Sequence, residues 1–398
     1  MNYDFDELML FYYFNDPVLK MDIKQISSMA QVDYAEWNRL AGDAYPFMRH
    51  EFLLALEQSG SIAVQTGWMP AHLLVLDKEE LVAFMPLYLK QHSRGEYVFD
   101  HQWAQAYQQH ELDYYPKWLT SIPLTPCQGS RIVVKAAIDP LEITQLLLTF
   151  IKQLSEQRGI SSWHCLFPAL HQVELFRSLN LSIREGVQFQ WFNQGYRDFN
   201  DFLQTLSASK RKMLKRERRR VSDQGVSLLR IAGPDVSDEQ WQAFFEFYAM
   251  TYLKKGSQPY LNPAFFKQIA ETMGEQLLLI LAVKDDKPIA AALSFIGADT
   301  LYGRYWGCYE EYNGLHFEAC YYQGMDYCIE QGLKQFDSGA QGEHKISRGF
   351  EPVTTYSAHW LKDVRFAKAI DQFLTEEQKA VQRYKKDAAS YLPFKQET

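Results

Sequence analysis

Fourteen residues, DSGAQGEHKISRGF (337–350), hold two acids, a histidine, a lysine, an arginine and three glycines. Glu343 or His344 can take a proton from an attacking amine, and imidazole has the unperturbed pKa nearest neutrality. Lys345 and Arg348 can hold a carboxylate or a phosphate, the guanidinium in a bidentate way. Gly339, Gly342 and Gly349 allow the backbone to bend and approach a ligand closely, with Gln341 among them. A solvated turn would explain the glycines and charges as well, so local chemistry leaves both readings open.

Three further stretches carry chemistry. KRKMLKRERRR (210–220) has eight basic residues and one acid, in a chain whose net charge is −8. The remainder therefore carries −15, which argues against attraction of the whole surface to nucleic acid. Phe199, Phe202, Leu203, Leu206, Met213 and Leu214 form a broken apolar stripe, predicting a helix with a cationic second half. Its two readings are a solvated face and phosphate contact through Lys210, Arg211, Lys212, Lys215 and Arg216. GCYEEYNGLHFEACYYQG (307–324) puts a glycine-bearing turn between a strand and a helix, whose first N–H groups attract phosphate or carboxylate. Trp306 before it, His316 on the helix and His359 in YSAHWL (356–361) are candidate substrate contacts. His316, Glu318, Glu343, His344 and His359 fit no strong metal-ligand spacing, so no metal is expected. The segment 89–131 is dense in Tyr, Trp, His and turn residues, and reads either as a groove lining or as irregular core.

These residues need elements to position them. The 398 residues suggest two domains, and 47% hydrophobic against 23% charged composition supports a buried core. Five cysteines without a CxxC pair fit a reducing compartment. The acidic start MNYDFDELMLFYYF lacks the basic opening of a signal peptide, and no apolar run reaches the roughly 18–20 residues of a membrane span. A cytoplasmic chain is expected.

Two hairpins, AHLLVLDKEELVAFMPLYLK (71–90) and LLLILAVKDDKPIAAALSFIG (277–297), are each followed by an aromatic segment read as a strand. Those segments are GEYVFD (95–100), with Trp103, and TLYGRYWG (300–307). The second half adds a strand at 226–231, a helix opened by the Ser237–Gln240 capping box and another opened by Asn262-Pro263. The first half adds a weak strand at 22–26 and helical patterns around 33–41 and 49–58. A helix and a buried strand close each half, at 140–167 and 315–337. Each half thus runs strand, two helices, three meandering strands, helix, strand. The order resembles the GNAT N-acetyltransferase superfamily: an α/β fold with mixed sheets, in tandem domains 1–195 and 196–398.

The longer motifs narrow the resemblance. DSGAQGEHKISRGFEPVTTYSAHW, KQHSRGEYVFDHQWAQAY, YYPKWLTSIPLTPCQGSR and SASKRKMLKRERR resemble the FemAB-like bacterial family, from about Ala44 to Trp360. The resemblance implies two GNAT-like domains and a reaction similar to that of Fem-type aminoacyltransferases. In that reaction an acyl group passes from an activated donor to an amine, on a small molecule or a peptidoglycan precursor. It implies acyl-CoA or aminoacyl-tRNA as co-substrate, no bound cofactor, and tRNA as a candidate partner. Carried over by position, the site falls on Glu343, His344, Lys345 and Arg348, and the family's basic stretch on Lys210–Arg220. The Q/R-x-x-G-x-G/A fingerprint that grips CoA is replaced here by NGLHFE (313–318). The first half has no stretch like GAQGEHKISRG, so one site is expected. The alternative is a non-catalytic module that recognises cell-wall peptides or tRNA and needs no base.

Overall fold

The computed structural model describes residues 13–15, 21–340 and 342–395. Gln341, and residues 1–12 of the stretch weighed above as a signal peptide, lie outside them. The chain divides into two compact units. The first comprises Met1–Gly42, Phe47–Gly186 and Thr355–Val381, and the second Asp43–Pro46, Val187–Thr354 and Gln382–Thr398. Residues 355–381, read above with the second domain, thus belong to the first unit. The physical reason is strand pairing: Ser357–Leu361 runs antiparallel to Ser162–Leu166.

The first unit holds an antiparallel sheet in the order Tyr13–Asn15, Asp22–Ile26, His72–Asp77, Glu80–Met85, Val133–Val134. A second set of strands places Ser162–Leu166 beside Lys117–Thr120, then Tyr88–Lys90 and Trp68–Pro70. The helix Pro140–Arg158 starts where Asp139 accepts from Leu141 N, with proline at the first helical position, and ends at left-handed Gly159. Its buried face, including Leu147, Ile151 and Leu154, packs with Val75, Trp118 and Trp163.

One expected strand is absent: 95–100 forms turns that lead into the helix His101–Gln109. Gly95 and Tyr97 have φ of +79° and +61°, which breaks an extended run. The segment instead turns its acids inward. Lys117 Nζ donates to Glu96 Oε2 and Ser93 Oγ, each at 2.8 Å, and to Asp100 Oδ2. Burial favours neutral forms, yet Glu96 and Asp100 outweigh it and raise the Lys117 pKa. Burial also works against the Asp100 carboxylate, but Lys117 and His164 hold its pKa below the usual range. Nearby Lys90, completely buried, is pushed down to about 7 by burial, against the pull of Glu96. The residues of 89–131 that looked fit for a groove therefore include a closed acid–base core.

Beyond Asp100 the network continues. The Tyr114 hydroxyl donates to Asp100 Oδ2 (2.7 Å) and lies 3.2 Å from His164 Nε2. His164 Nδ1 stands 2.7 Å from His359 Nδ1, a contact with room for a single shared hydrogen. Burial pushes His164 down to about 3 and His359 well below the ordinary imidazole range. Unfolded histidines titrate near about 6.5, so below that pH the unfolded chain binds more protons and folding weakens. Stability is expected to be flat above about pH 7 and to fall, by about 1.4 kcal/mol per pH unit for each histidine, between about pH 6.5 and 4. Urea melts across that range test this, and His164→Asn should flatten the slope.

The second unit carries the expected order. Ser227–Ala232, Leu277–Lys284, Lys287–Ile296 and Thr300–Cys308 form an antiparallel meander. Gln335–Asp337 adds in parallel, and Gln190–Phe192 pairs antiparallel beyond it. Asp238–Leu253 starts at the predicted Ser237–Gln240 box, and Pro263–Met273 at Asn262. The first of these helices crosses the strand at Gly307, where any Cβ would strike the Phe247 carbonyl. The basic run lies on the helix Ala208–Asp223. The helix Leu315–Phe317 continues through a π turn, Glu318–Tyr322, into Gln323–Gln331.

Candidate functional site

The loop begins where Asp337 ends its strand. Asp337 pairs with buried Arg304 (2.8 Å) and accepts from Gly339 N (3.0 Å), which turns the chain out of the sheet. Glu343–Arg348 is a short 3-10 helix between Gly342 (φ +115°) and Gly349 (φ +91°). A Cβ on Gly342 would stand 2.4 Å from the His344 ring, so glycine lets that imidazole lie back over its own backbone.

Two of the four charged side chains lock this loop. Lys345 is 1% exposed, and its Nζ donates to the carbonyls of Ser338 (3.1 Å) and Gly339 (2.6 Å). Burial pushes its pKa down to about 8, against the pull of Asp337. Arg348 Nη2 and Nε donate to Glu217 at 2.7 and 3.1 Å, Nη1 donates to the His344 carbonyl at 2.6 Å, and the guanidinium lies 3.5 Å from the Phe317 ring centre. The Tyr322 hydroxyl donates to the same Glu217 and accepts from Arg348 Nε (3.2 Å). The anion clamp expected of Lys345 and Arg348 is thus corrected. A buried charge needs partners: Lys345 finds them in the loop's own carbonyls, and Arg348 finds Glu217 on the basic helix.

The other two face solvent. His344 is exposed, with Nε2 2.7 Å from the Tyr321 hydroxyl. Its ring lies 5.5 Å from Phe317 and 6.1 Å from His316, and His316 meets Trp306 edge-on at 5.5 Å. Trp306, His316 and His344 are therefore brought together. Burial pushes His316 down to about 4, assisted by the charges of Lys345 and Arg348. Partial burial, then Arg348 and Lys345, also lower the His344 pKa. Both shifts favour the free base. Glu343 is exposed, and its Oε1 accepts from the Tyr384 hydroxyl (2.7 Å) of the helix Val364–Ser390. His359 is not brought here; it sits in the first unit with His164.

Local backbone explains the convergence of two tyrosines. Adjacent helical residues point about 100° apart, yet Tyr321 and Tyr322 both reach the loop, one to His344 and the other to Arg348. They do so from the π turn, a wider helical winding often found at functional sites.

The basic helix has two faces. Glu217 holds Arg348, and Arg218 pairs with Glu318 (2.9 Å) and Asp326 (2.7 Å). Lys212, Lys215, Arg216 and Arg219 are exposed at i, i+3, i+4 and i+7, and none forms an ion pair with the described residues. Lys210 and Arg211 are half-buried, with Arg211 donating to Gln204 (3.2 Å). Sequence reasoning missed Tyr321, Tyr322, Tyr384 and Glu217. Only Glu217 was marked, as the single acid in the basic run.

The fold has known likenesses. FemX superposes with a TM-score of 0.51 at 11% identity, over 85% of this chain and 98% of that chain. The C-terminal domain of a putative lysylphosphatidylglycerol synthetase from Agrobacterium fabrum superposes with a TM-score of 0.52 at 11% identity, over 87% and 97%. Such identities establish a shared fold, and the expected mixed α/β class holds. A search of curated proteins finds no match. A family model matches residues 28–396, and the chain belongs to the FemAB-like family, described as peptidoglycan biosynthesis/recognition.

Proposed function

We propose that the second unit transfers an acyl or aminoacyl group to an amine, with His344 and Tyr321 removing the proton. The observation that carries this is an exposed imidazole, hydrogen-bonded to Tyr321, on a loop fixed by two buried cations. In the step, the amine nitrogen bonds to the donor's carbonyl carbon and the ester or thioester C–O or C–S bond breaks. The amine proton passes to the His344–Tyr321 pair, and the departing oxygen or sulfur takes up a proton. Fixed positioning supplies much of the rate in such a reaction, and Lys345 and Arg348 serve it by holding the loop. Glu343, held by Tyr384, stands beside His344 as a second acceptor for the proton.

A polyanionic donor suits the basic helix. Its four exposed cations extend over about 10 Å, on the helix that grips the loop through Glu217. An RNA strand has phosphates along such a length, and the sequence lacks the CoA fingerprint at 313–318, so aminoacyl-tRNA is favoured over acyl-CoA. The family's description supports a peptidoglycan precursor as the acceptor. Thermal melts with bulk aminoacyl-tRNA or acetyl-CoA test the donor. A ligand at 100 times its Kd adds about 2.7 kcal/mol. Stabilisation by tRNA should fade with salt and vanish when Lys212, Lys215, Arg216 and Arg219 become Glu. Stabilisation by acetyl-CoA alone would overturn the choice of donor.

A further inference from the structure

The helix Asp238–Leu253 is apolar on two sides. Phe244, Phe247 and Tyr248 are buried in the unit. Trp241 and Phe245, one turn apart on another face, are only half-buried. A globular helix with a single partner needs one apolar stripe, and a second stripe asks for something to cover it. That second stripe lines an open cavity of about 760 Å³, shared with the helix Pro263–Met273 and closed by the turn Gly233–Asp235. Buried Phe266 lies beneath, with its ring 6.3 Å from Phe245.

The charges around this groove have one dominant sign. Asp238, Glu246 and Glu271 line it against one lysine, Lys267, which itself stands 3.9 Å from Glu271. Glu246 is held in place by the Tyr309 hydroxyl and by Gln242 Nε2 (3.3 Å). An aromatic wall attracts a cation through the ring faces, and a carboxylate rim attracts the same group by charge. An anionic or purely apolar ligand would use only part of what is there. The volume falls within the range of small-ligand pockets, about 300–1,000 Å³.

We propose that this groove binds a short peptide through a lysine-type side chain, with the alkyl stem against Trp241 and Phe245 and the ammonium at the carboxylate rim. This site is separate from the His344 loop and does not rest on the transfer reading.

Calorimetric titration of the full chain, with no donor present, tests it. The probes are Ala-Lys-Ala amide and its counterpart with norleucine, which keeps the stem and lacks the ammonium. The lysine peptide is expected to bind about ten-fold or more tightly than the norleucine peptide, a gap of about 1.4 kcal/mol. Trp241→Ala, and separately E246Q with E271Q, should each weaken it about ten-fold, and the rim pair, both exposed, should leave the melting temperature in place. Equal affinity for the two peptides, absence of binding at millimolar peptide, or binding untouched by both variants would each overturn the proposal. Since no turnover is measured, its failure would leave the His344 mechanism standing, and the reverse holds too.

Discussion

Replacing His344 by alanine is expected to lower transfer about 10²–10⁴-fold, the usual contribution of a positioned acid–base group. The melting temperature should hardly move, because the ring is exposed and, among the described residues, its side-chain hydrogen bond is to Tyr321. Lys345 and Arg348 stay paired in the variant, so the loop keeps its shape. Tyr321→Phe should cost less, since the imidazole remains. The pH dependence gives an independent sign. Burial, Arg348 and Lys345 lower the His344 pKa from its ordinary value near about 6.5, so the free base persists to somewhat more acid pH. The wild-type rate should be level around neutrality and fall on the acid side of about 6.5 as His344 takes its proton. The residual rate of the alanine variant should lack that limb. Full activity in the variant would remove His344 from the chemistry.

Lys117→Met should be the most damaging substitution in the first unit for stability. The lysine is completely buried, and methionine fills a similar volume without the charge. Glu96 and Asp100, each 4% exposed, would then face one another with only Lys90 nearby, 4.0 Å from Glu96. Removing one partner from a buried ion cluster costs about 3–5 kcal/mol, because the remaining carboxylates lack water and keep only Lys90 as a counter-ion. That is a large share of the about 5–15 kcal/mol available to a folded domain. Urea unfolding should show a lower midpoint, with an unchanged denaturant slope. Adding Asp100→Asn should restore part of the loss, so the double variant should be less unstable than the sum of the single effects. A loss below about 1 kcal/mol would mean that the cluster is not held by charge pairing.

Most of the second unit was legible because its boundaries are written in local chemistry. The Ser237–Gln240 box and Asn262-Pro263 act within a few residues of themselves, and each marks an observed helix start. Two apolar runs joined at a polar turn did the same for the meander. The first unit was harder at 95–100, where an aromatic run looked like a strand. Its register is decided by Lys117, 17 residues beyond Asp100, whose ammonium draws both acids inward. The site shows the same limit at longer range. Residue types in 337–350 pointed to a base and two cations, and Glu343 and His344 are indeed exposed. What neutralises Arg348 is Glu217, 131 positions away, and what holds Glu343 is Tyr384, 41 positions away. Neither pairing follows from spacing. The long helix Val364–Ser390 was not anticipated, and residues 355–381 went to the unit opposite to the one expected.

The central claim is transfer of an acyl group to an amine, and the mass of the acceptor tests it most directly. An amine-bearing stem peptide of peptidoglycan would be incubated with the protein and bulk aminoacyl-tRNA, and in a parallel reaction with acetyl-CoA, then weighed by mass spectrometry. The account predicts a gain of one aminoacyl residue with tRNA, absent without protein and strongly reduced by His344→Ala. A donor that binds and stabilises the protein, with no mass gained by the acceptor in either reaction, would contradict it and identify the chain as a recognition module.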